Sequence, residues 1–599
     1  MDIEMIKENL EKLRERMRES GIDFYLVPTS DYHESEYVSE YFKVREFLSG
    51  FTGSAGTLVV GLDWAGLWAD GRYYIQAEEQ IKGSGITLYR SGMDKVPTIR
   101  KYLEEHMPEG GCLGFDGRVV NTGLVEVLYE KMDLKQVRIS CKEDLTADIW
   151  TNRPALQFSQ PWLLDTKYCG ETREDKIKRI REKMEEEDAE FFLLTSLDDI
   201  AWTFNMRGDD IPCNPVFLSY ALIGRLSCTL YLRRDQLSQE VSSELERSGI
   251  SLQEYEKIYE DIKTLSAVTL LLDKNKVNYS LYDSLQESVW VKNAVNPTVL
   301  MKAVKNETEL NNLRAAHLKD GVAVTKCMYY LKNTIGKEEL SEISISDYQE
   351  KMRRQQDGFI ELSFDTISAC NANAAMMHYF ATPGTNAVLE KKGFLLMDSG
   401  GQYYEGTTDI TRTYVLGELT AEQKKHFTLV VKSMLNLLNA RFLYGCSGIN
   451  LDILARGPLW NIGLDYRCGT GHGVGYLLNV HEAPNGFRWK IVPERMDSCA
   501  LEAGMVTTDE PGVYIEGSHG IRIENELICK KAEENEYGQF MEFETITYVP
   551  IDLDGIDLQY LNEEDRKQLN DYHALVYDKV SPCLTEVERQ WLKEYTRAI

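Results

Sequence analysis

Two stretches in the second half of the chain place acids where they demand an explanation. In GIRIENELIC (520–529), strand alternation sends Ile521 and Ile523 to one face and Arg522, Glu524 and Glu526 to the other. Acids stacked on one face repel each other unless a cation offsets them. In FLLMDSGGQYYEGTTDITRTYVLG (394–417), two strands flank a polar turn, with Asp398 ending the apolar run and Asp409 eleven residues later on the return strand. An antiparallel pairing lets these two carboxylates meet. Taken singly, each candidate also fits a plainer role. Asp398 before Ser-Gly-Gly fits a turn, and Asp409 and Glu524 fit exposed acids. His472 between glycines fits a loop, and Glu510 before Pro-Gly precedes a turn. The case for chemistry rests on their joint occurrence.

DSGGQY, TTDITRT, GTGHGVG, TDEPG and GIRIENE follow one another in order. Together they resemble the five ligand motifs of the pita-bread metallopeptidases, which include methionine aminopeptidase, prolidase and aminopeptidase P. Carried over position by position, the resemblance implies metal ligands Asp398, Asp409, His472, Glu510 and Glu524. Asp409 and Glu524 would bridge two ions, and Asp398 would chelate one of them. Four carboxylates and one imidazole form a hard donor set that suits two Mn(II) ions per subunit better than a structural zinc. Such a pair leaves room for a bridging hydroxide and can polarise a scissile carbonyl. Glu510 is then the natural carrier of a proton from nucleophile to leaving nitrogen.

The same resemblance assigns His378, in SFDTISACNANAAMMHYF, and His481, in LNVHEAP, to substrate contacts near the scissile bond, with a satisfied buried histidine as the alternative. Arg522 is expected to pair with ligand carboxylates. Tyr514, four residues after Glu510, either lines the site or packs in the core. The family often has His-Gly-Thr-Gly-His around the metal histidine. Here the first position is Cys468, read as a small pocket wall, with a redox-sensitive thiol as the alternative.

The elements that must position these residues begin with a repeat. LRERMRESGIDFYLVPTS (13–30) and IREKMEEEDAEFFLLTS (180–196) each read as an amphipathic helix followed by an apolar strand and Thr-Ser, with Met17 matching Met184 and Leu26 matching Leu193. The expected fold mixes α/β and α+β domains. Two tandem, related α/β domains span 1–158 and 159–305, a pita-bread catalytic domain spans 306–535, and a C-terminal extension packed on it spans 536–599. FLSGFTGSAGTLVVG and LWADGRYYIQA read as strands and tight turns. Asn306-Glu307-Thr308-Glu309 reads as a helix start, and the stretch from about Tyr548 as a short β segment before polar helices.

YHESEY, FLSGFTGSAGT and ADGRYYIQA near the start, with YVPIDL and LNDYH near the end, extend the resemblance across the chain to the three-domain cytosolic aminopeptidases P. It implies a homodimer that removes an N-terminal residue preceding proline, with Arg72 supplying a substrate contact. Because an Xaa-Pro bond lacks the amide N–H, such a site needs an apolar slot for the ring. Phe364, Tyr379 and Phe380 are candidates for it. A prolidase acting on Xaa-Pro dipeptides and a metal-free binding module on the same fold are the alternatives.

Composition narrows the partners. The 599 residues carry a net charge of −29, with no basic run to neutralise phosphates, so nucleic acid is excluded as a partner. The first twenty residues form a charged amphipathic pattern without an apolar signal core, and no stretch of about 18 apolar residues spans a membrane. Twelve cysteines form no CxxC pair or zinc spacing, and so read as thiols in a reducing compartment, the cytoplasm.

Overall fold

The computed structural model describes residues 2–492 and 496–599. They form two compact units, one of residues 1–165 and 171–298, the other of residues 166–170 and 299–599.

The first unit contains the repeat as two six-stranded sheets. One runs Thr87–Arg90, Ala65–Ala69, Thr57–Gly61, Phe24–Pro28, Cys112–Gly114, Arg138–Ser140. The other runs Ser251–Glu254, Cys228–Leu232, Tyr220–Gly224, Phe191–Leu194, Thr269–Leu272, Trp290–Asn293. Both sheets have the same order and the same pattern of parallel and antiparallel neighbours. The helices Ile3–Ser20 and Arg173–Glu186 bury Met17 and Met184 at equivalent places. Two local expectations fail: Phe47–Ser49, at the start of FLSGFTGSAGTLVVG, closes the helix Val44–Ser49, and the helix Tyr74–Gln80 begins inside ADGRYYIQA.

In the second unit, Asn306 caps the helix Glu307–Thr334 through a reciprocal bond pattern with Glu309, which satisfies amide donors that a helix start otherwise leaves bare. The largest sheet has the order Arg441–Leu443, Gly538–Thr545, Asn525–Asn535, Val506–Asp509, Gly471–Gly473, Glu482–Phe487. A second joins Ile367–Cys370, Phe394–Ser399 and Ile410–Val415. The helix Ala421–Leu438 packs Phe427, Val430 and Met434 into one core with Ile521, Ile523 and Met541 from the strands. Leu569, Val576 and Val580 of the helix Glu563–Val580 enter the same core, so the C-terminal segment is part of this unit. The β segment expected from Tyr548 is absent. That stretch is irregular because the carbonyls of Val549 and Pro550 accept hydrogen bonds from the buried Arg412 side chain instead of from a neighbouring strand. No helix among the described residues is long and apolar enough to cross a membrane.

Candidate metal centre

The second unit gathers the five expected ligands from strands and the loops that end them. Asp398 lies in the strand Phe394–Ser399, and Asp409 directly precedes its partner strand Ile410–Val415. Asp398 pairs in register with Thr411, not with Asp409, so the two acids are diagonal rather than opposite. His472 is central in the short strand Gly471–Gly473. Glu510 follows the strand Val506–Asp509, its N–H donating to the Thr470 carbonyl at 2.8 Å.

GIRIENELIC is not the single strand that its alternation suggests. It breaks at Ile523 and Glu524, between a hairpin strand, His519–Arg522, and the long strand Asn525–Asn535 of the large sheet. The facing nevertheless survives the break. Ile521 and Ile523 are fully buried in the core, while Arg522 and Glu524 turn to the site.

Asp409, His472 and Glu524 each offer a ligand atom within 4.8 Å of the others. His472 Nε2 lies 3.4 Å from Asp409 Oδ2 and 3.5 Å from Glu510 Oε1. Its Nδ1–H is committed to the Gly473 carbonyl at 2.9 Å, which leaves the Nε2 lone pair facing the acids, the tautomer a metal ligand requires. Burial and the neighbouring charges of Asp398, Glu510 and Glu526 hold the Asp409 carboxyl well above the usual carboxylate range. Burial with Asp409, Glu510 and Asp398 does the same to Glu524. Two like charges about 4 Å apart repel by about 4 kcal/mol at an effective dielectric of about 20, so ionised carboxylates this close need cations among them.

The buried oxygens Asp398 Oδ1 and Glu524 Oε1 accept no hydrogen bond from any described residue. Buried acceptors are rarely left so. Oxygen acceptors with open lone pairs, grouped around one imidazole, fit hard divalent cations.

The other half of each carboxylate is fixed by its own partner. Arg522 reaches Asp398 Oδ2 at 2.5 Å, the Tyr514 hydroxyl at 2.7 Å, Thr411 Oγ1 at 3.2 Å and the Met377 carbonyl at 3.4 Å. Burial alone would depress this guanidinium's pKa, but the Tyr514 hydroxyl and the Asp398 carboxylate that it grips raise it instead. Thr411 passes a hydrogen bond on to Glu524 Oε2 at 2.7 Å. Thr411 is not among the expected site residues. Its signal is the spacing of two from Asp409 in TTDITRT, which puts both on one face. Behind the cluster, Glu526 Oε1 accepts the Asp409 N–H at 2.7 Å and lies 3.0 Å from the fully buried His317 Nε2. No local motif announces His317.

His481 sets its ring edge-on to His472, with centroids 4.3 Å apart. His378 is half-buried, one residue beyond the Met377 carbonyl that Arg522 grips. Burial and the charge of Glu510 push the Cys468 thiol up to about 11. Phe364 is buried, Tyr379 is tied through its hydroxyl to Glu342 at 2.9 Å, and Phe380 is 39% exposed. Arg72 belongs to the first unit, where Asp70 clamps its guanidinium at 2.7 and 3.0 Å.

Comparison with known proteins covers the chain almost completely. Residues 9–142 and 152–309 each match the creatinase/prolidase N-terminal domain, residues 311–531 the metallopeptidase family M24, and residues 539–599 the C-terminal region of peptidase M24. A probable Xaa-Pro aminopeptidase P of Talaromyces marneffei is 39% identical over 99% of this chain and 92% of its own length. The crystal structure of an X-prolyl aminopeptidase from Caenorhabditis elegans, described as a cytosolic enzyme with a di-nuclear active site, superposes with a TM-score of 0.94. It is 32% identical over 99% of this chain and 100% of that one. An Xaa-Pro dipeptidase from Bacillus anthracis covers only 64% of this chain, though 99% of its own, at 25% identity and a TM-score of 0.50. End-to-end identity with such relatives, the M24 match and a buried acid cluster suited to two metals together place this chain in the Xaa-Pro aminopeptidase P family of M24 metallopeptidases.

Proposed function

We propose that this hydrolase removes the N-terminal residue from peptides whose second residue is proline, using two divalent ions. The ions are best supplied as Mn(II) and held by Asp398, Asp409, His472, Glu510 and Glu524. The observation that carries this reading is the convergence of those side chains, with buried oxygens of Asp398 and Glu524 that accept no hydrogen bond among the described residues. When bound, the ions supply Lewis acidity that polarises the scissile carbonyl and lowers the pKa of the attacking water.

The chain's own groups do the rest. Glu510, within 3.5 Å of His472 and steadied by Thr508 Oγ1 at 3.3 Å, takes a proton from the attacking water and delivers it to the proline nitrogen. His481 and His378 bind the peptide and donate to the oxygen that gains charge at the tetrahedral stage. Arg522 holds Asp398 and Tyr514 in place, so Asp398 keeps its other oxygen aimed at the site. A proline nitrogen has no N–H to satisfy, so it can receive that proton without breaking a hydrogen bond to the protein.

The cytoplasm and a homodimer complete the reading. Exposed Trp460 and Trp489, edge to face at 6.1 Å, with Ile491, two residues after Trp489, 65% exposed, give the second unit an apolar face that a second copy would cover. A metal-reconstituted assay of Xaa-Pro-Yaa against Xaa-Ala-Yaa peptides tests the specificity. Cleavage confined to the proline series is expected, and equal turnover of both series would refute it.

A further inference from the structure

Nothing in the ligand motifs points to the helix Gly448–Trp460, yet it sends one cation beneath the loop that carries His472. The Arg456 side chain is wholly buried. Its Nε donates to Asp452 Oδ2 at 2.8 Å. Its Nη1 donates to Asp465 Oδ1 at 2.7 Å and to the Tyr466 carbonyl at 2.8 Å. Its Nη2 reaches the Cys468 carbonyl at 3.1 Å, Thr470 Oγ1 at 3.3 Å and Asp452 Oδ1 at 3.3 Å. All five N–H donors of the guanidinium are thereby used, and its Cζ lies 3.8 Å from the Tyr466 ring centroid.

Thr470 is where this network meets the metal centre. Its hydroxyl donates to Asp452 Oδ1 at 2.5 Å, shares a hydrogen bond with the Tyr466 hydroxyl at 2.6 Å and accepts from Arg456. Its backbone faces the other way. The Thr470 carbonyl accepts the Glu510 N–H at 2.8 Å, and its N–H donates to Phe487 at 2.8 Å. One residue on, Gly471 leaves no room for a side chain, because a Cβ there would lie 1.8 Å from the Thr508 carbonyl. The loop is therefore pinned at Tyr466, Cys468 and Thr470 from below and clamped at Gly471 from above, immediately before His472.

We propose that Arg456 and Thr470 are positioning residues that set the distance between His472 and Glu510, and hence the affinity of the site for the ion these two hold. The inference rests on the metal reading above. A single buried ion pair is weak evidence of stabilisation, since desolvation offsets its attraction. What distinguishes Arg456 is that its remaining donors all serve the loop before the ligand. Partners that orient metal ligands typically change affinity by about 10–100-fold when lost.

The test is calorimetric titration of the metal-free, full-length protein with Co(II), for the wild type and for Thr470→Val, Thr470→Ser and Arg456→Lys, with thermal unfolding of each. Thr470→Val keeps the shape and the carbonyl but removes the hydroxyl. It is expected to weaken one of two Co(II) binding steps about 10–100-fold while the unfolding temperature stays within a few degrees. Thr470→Ser restores the hydroxyl and is expected to restore the affinity. Arg456→Lys, which cannot reach Asp452, Cys468 and Thr470 together, is expected to follow Thr470→Val. If that variant does not fold, the Thr470 pair still decides. A folded Thr470→Val protein with both Co(II) affinities unchanged overturns the proposal. Failure of the wild type to bind Co(II) at all would instead overturn the metal reading on which it rests.

Discussion

His481 meets His472 edge to face, ring centroids 4.3 Å apart. A histidine pressed so closely against the proposed metal ligand suits a group that donates to substrate. His481→Phe preserves the edge contact but removes the N–H. It is expected to lower kcat by about 10²–10³-fold, the usual loss for one oxyanion donor, with a much smaller change in KM. An unchanged kcat would assign His481 to packing alone.

Glu510→Gln retains the bonds from Thr508 and to Thr470 but cannot carry a proton. Steady-state assays at saturating Mn(II) should show kcat reduced by at least about 10²-fold, with the protein folded. An active, metal-loaded variant would remove Glu510 from the proton path.

Arg522 holds Asp398, Tyr514, Thr411 and the Met377 carbonyl at once. Lysine offers one ammonium in place of a planar fork. Arg522→Lys should therefore cost about 10-fold or more in kcat/KM, the worth of one lost charge-assisted bond. Tyr514→Phe should produce a smaller loss. Equal kinetics in all three proteins would show that the Arg522 fork does not matter to the reaction.

Stability should respond to acid through His33 in the first unit. Its Nδ1 lies 2.9 Å from the Thr195 carbonyl and its Nε2 2.7 Å from the Tyr255 hydroxyl. Burial lowers it from 6.5 to about 4. Between those values the unfolded chain binds a proton that the folded one refuses, so stability falls as pH drops from about 6.5 to about 4, by at most about 3 kcal/mol. Denaturant titrations at pH 7 and 4.5 should show that loss reduced in His33→Gln. An identical pH dependence in both proteins would contradict it.

The sequence carried the site better than it carried the backbone beneath it. Asp398, Asp409, His472, Glu510 and Glu524 stand in short motifs, and the start of the helix at Asn306 is a local capping signal. Both are readable because the determining residues are neighbours. The break at Ile523 was hidden because the chain exchanges one strand partner for another there. Gly512–Ile515 pairs with the first half, and Val506–Asp509 with the second. Pairing partners are long-range information, and alternation alone does not record them. His317 beside Glu526, and Arg456 beneath Thr470, were invisible for the same reason. A helix histidine or arginine reads as ordinary until folding places an acid or a loop carbonyl against it. Arg412 likewise replaced an expected strand with an irregular segment by claiming its carbonyls from a distant position.

The most direct measurement is metal content against activity. Wild-type protein stripped with a chelator, then dialysed against Mn(II), should regain two ions per chain and its Xaa-Pro-Yaa hydrolysis together. Glu524→Gln and Asp409→Asn should regain neither the full complement nor the activity. Full hydrolysis by protein from which all metal has been removed would contradict the account.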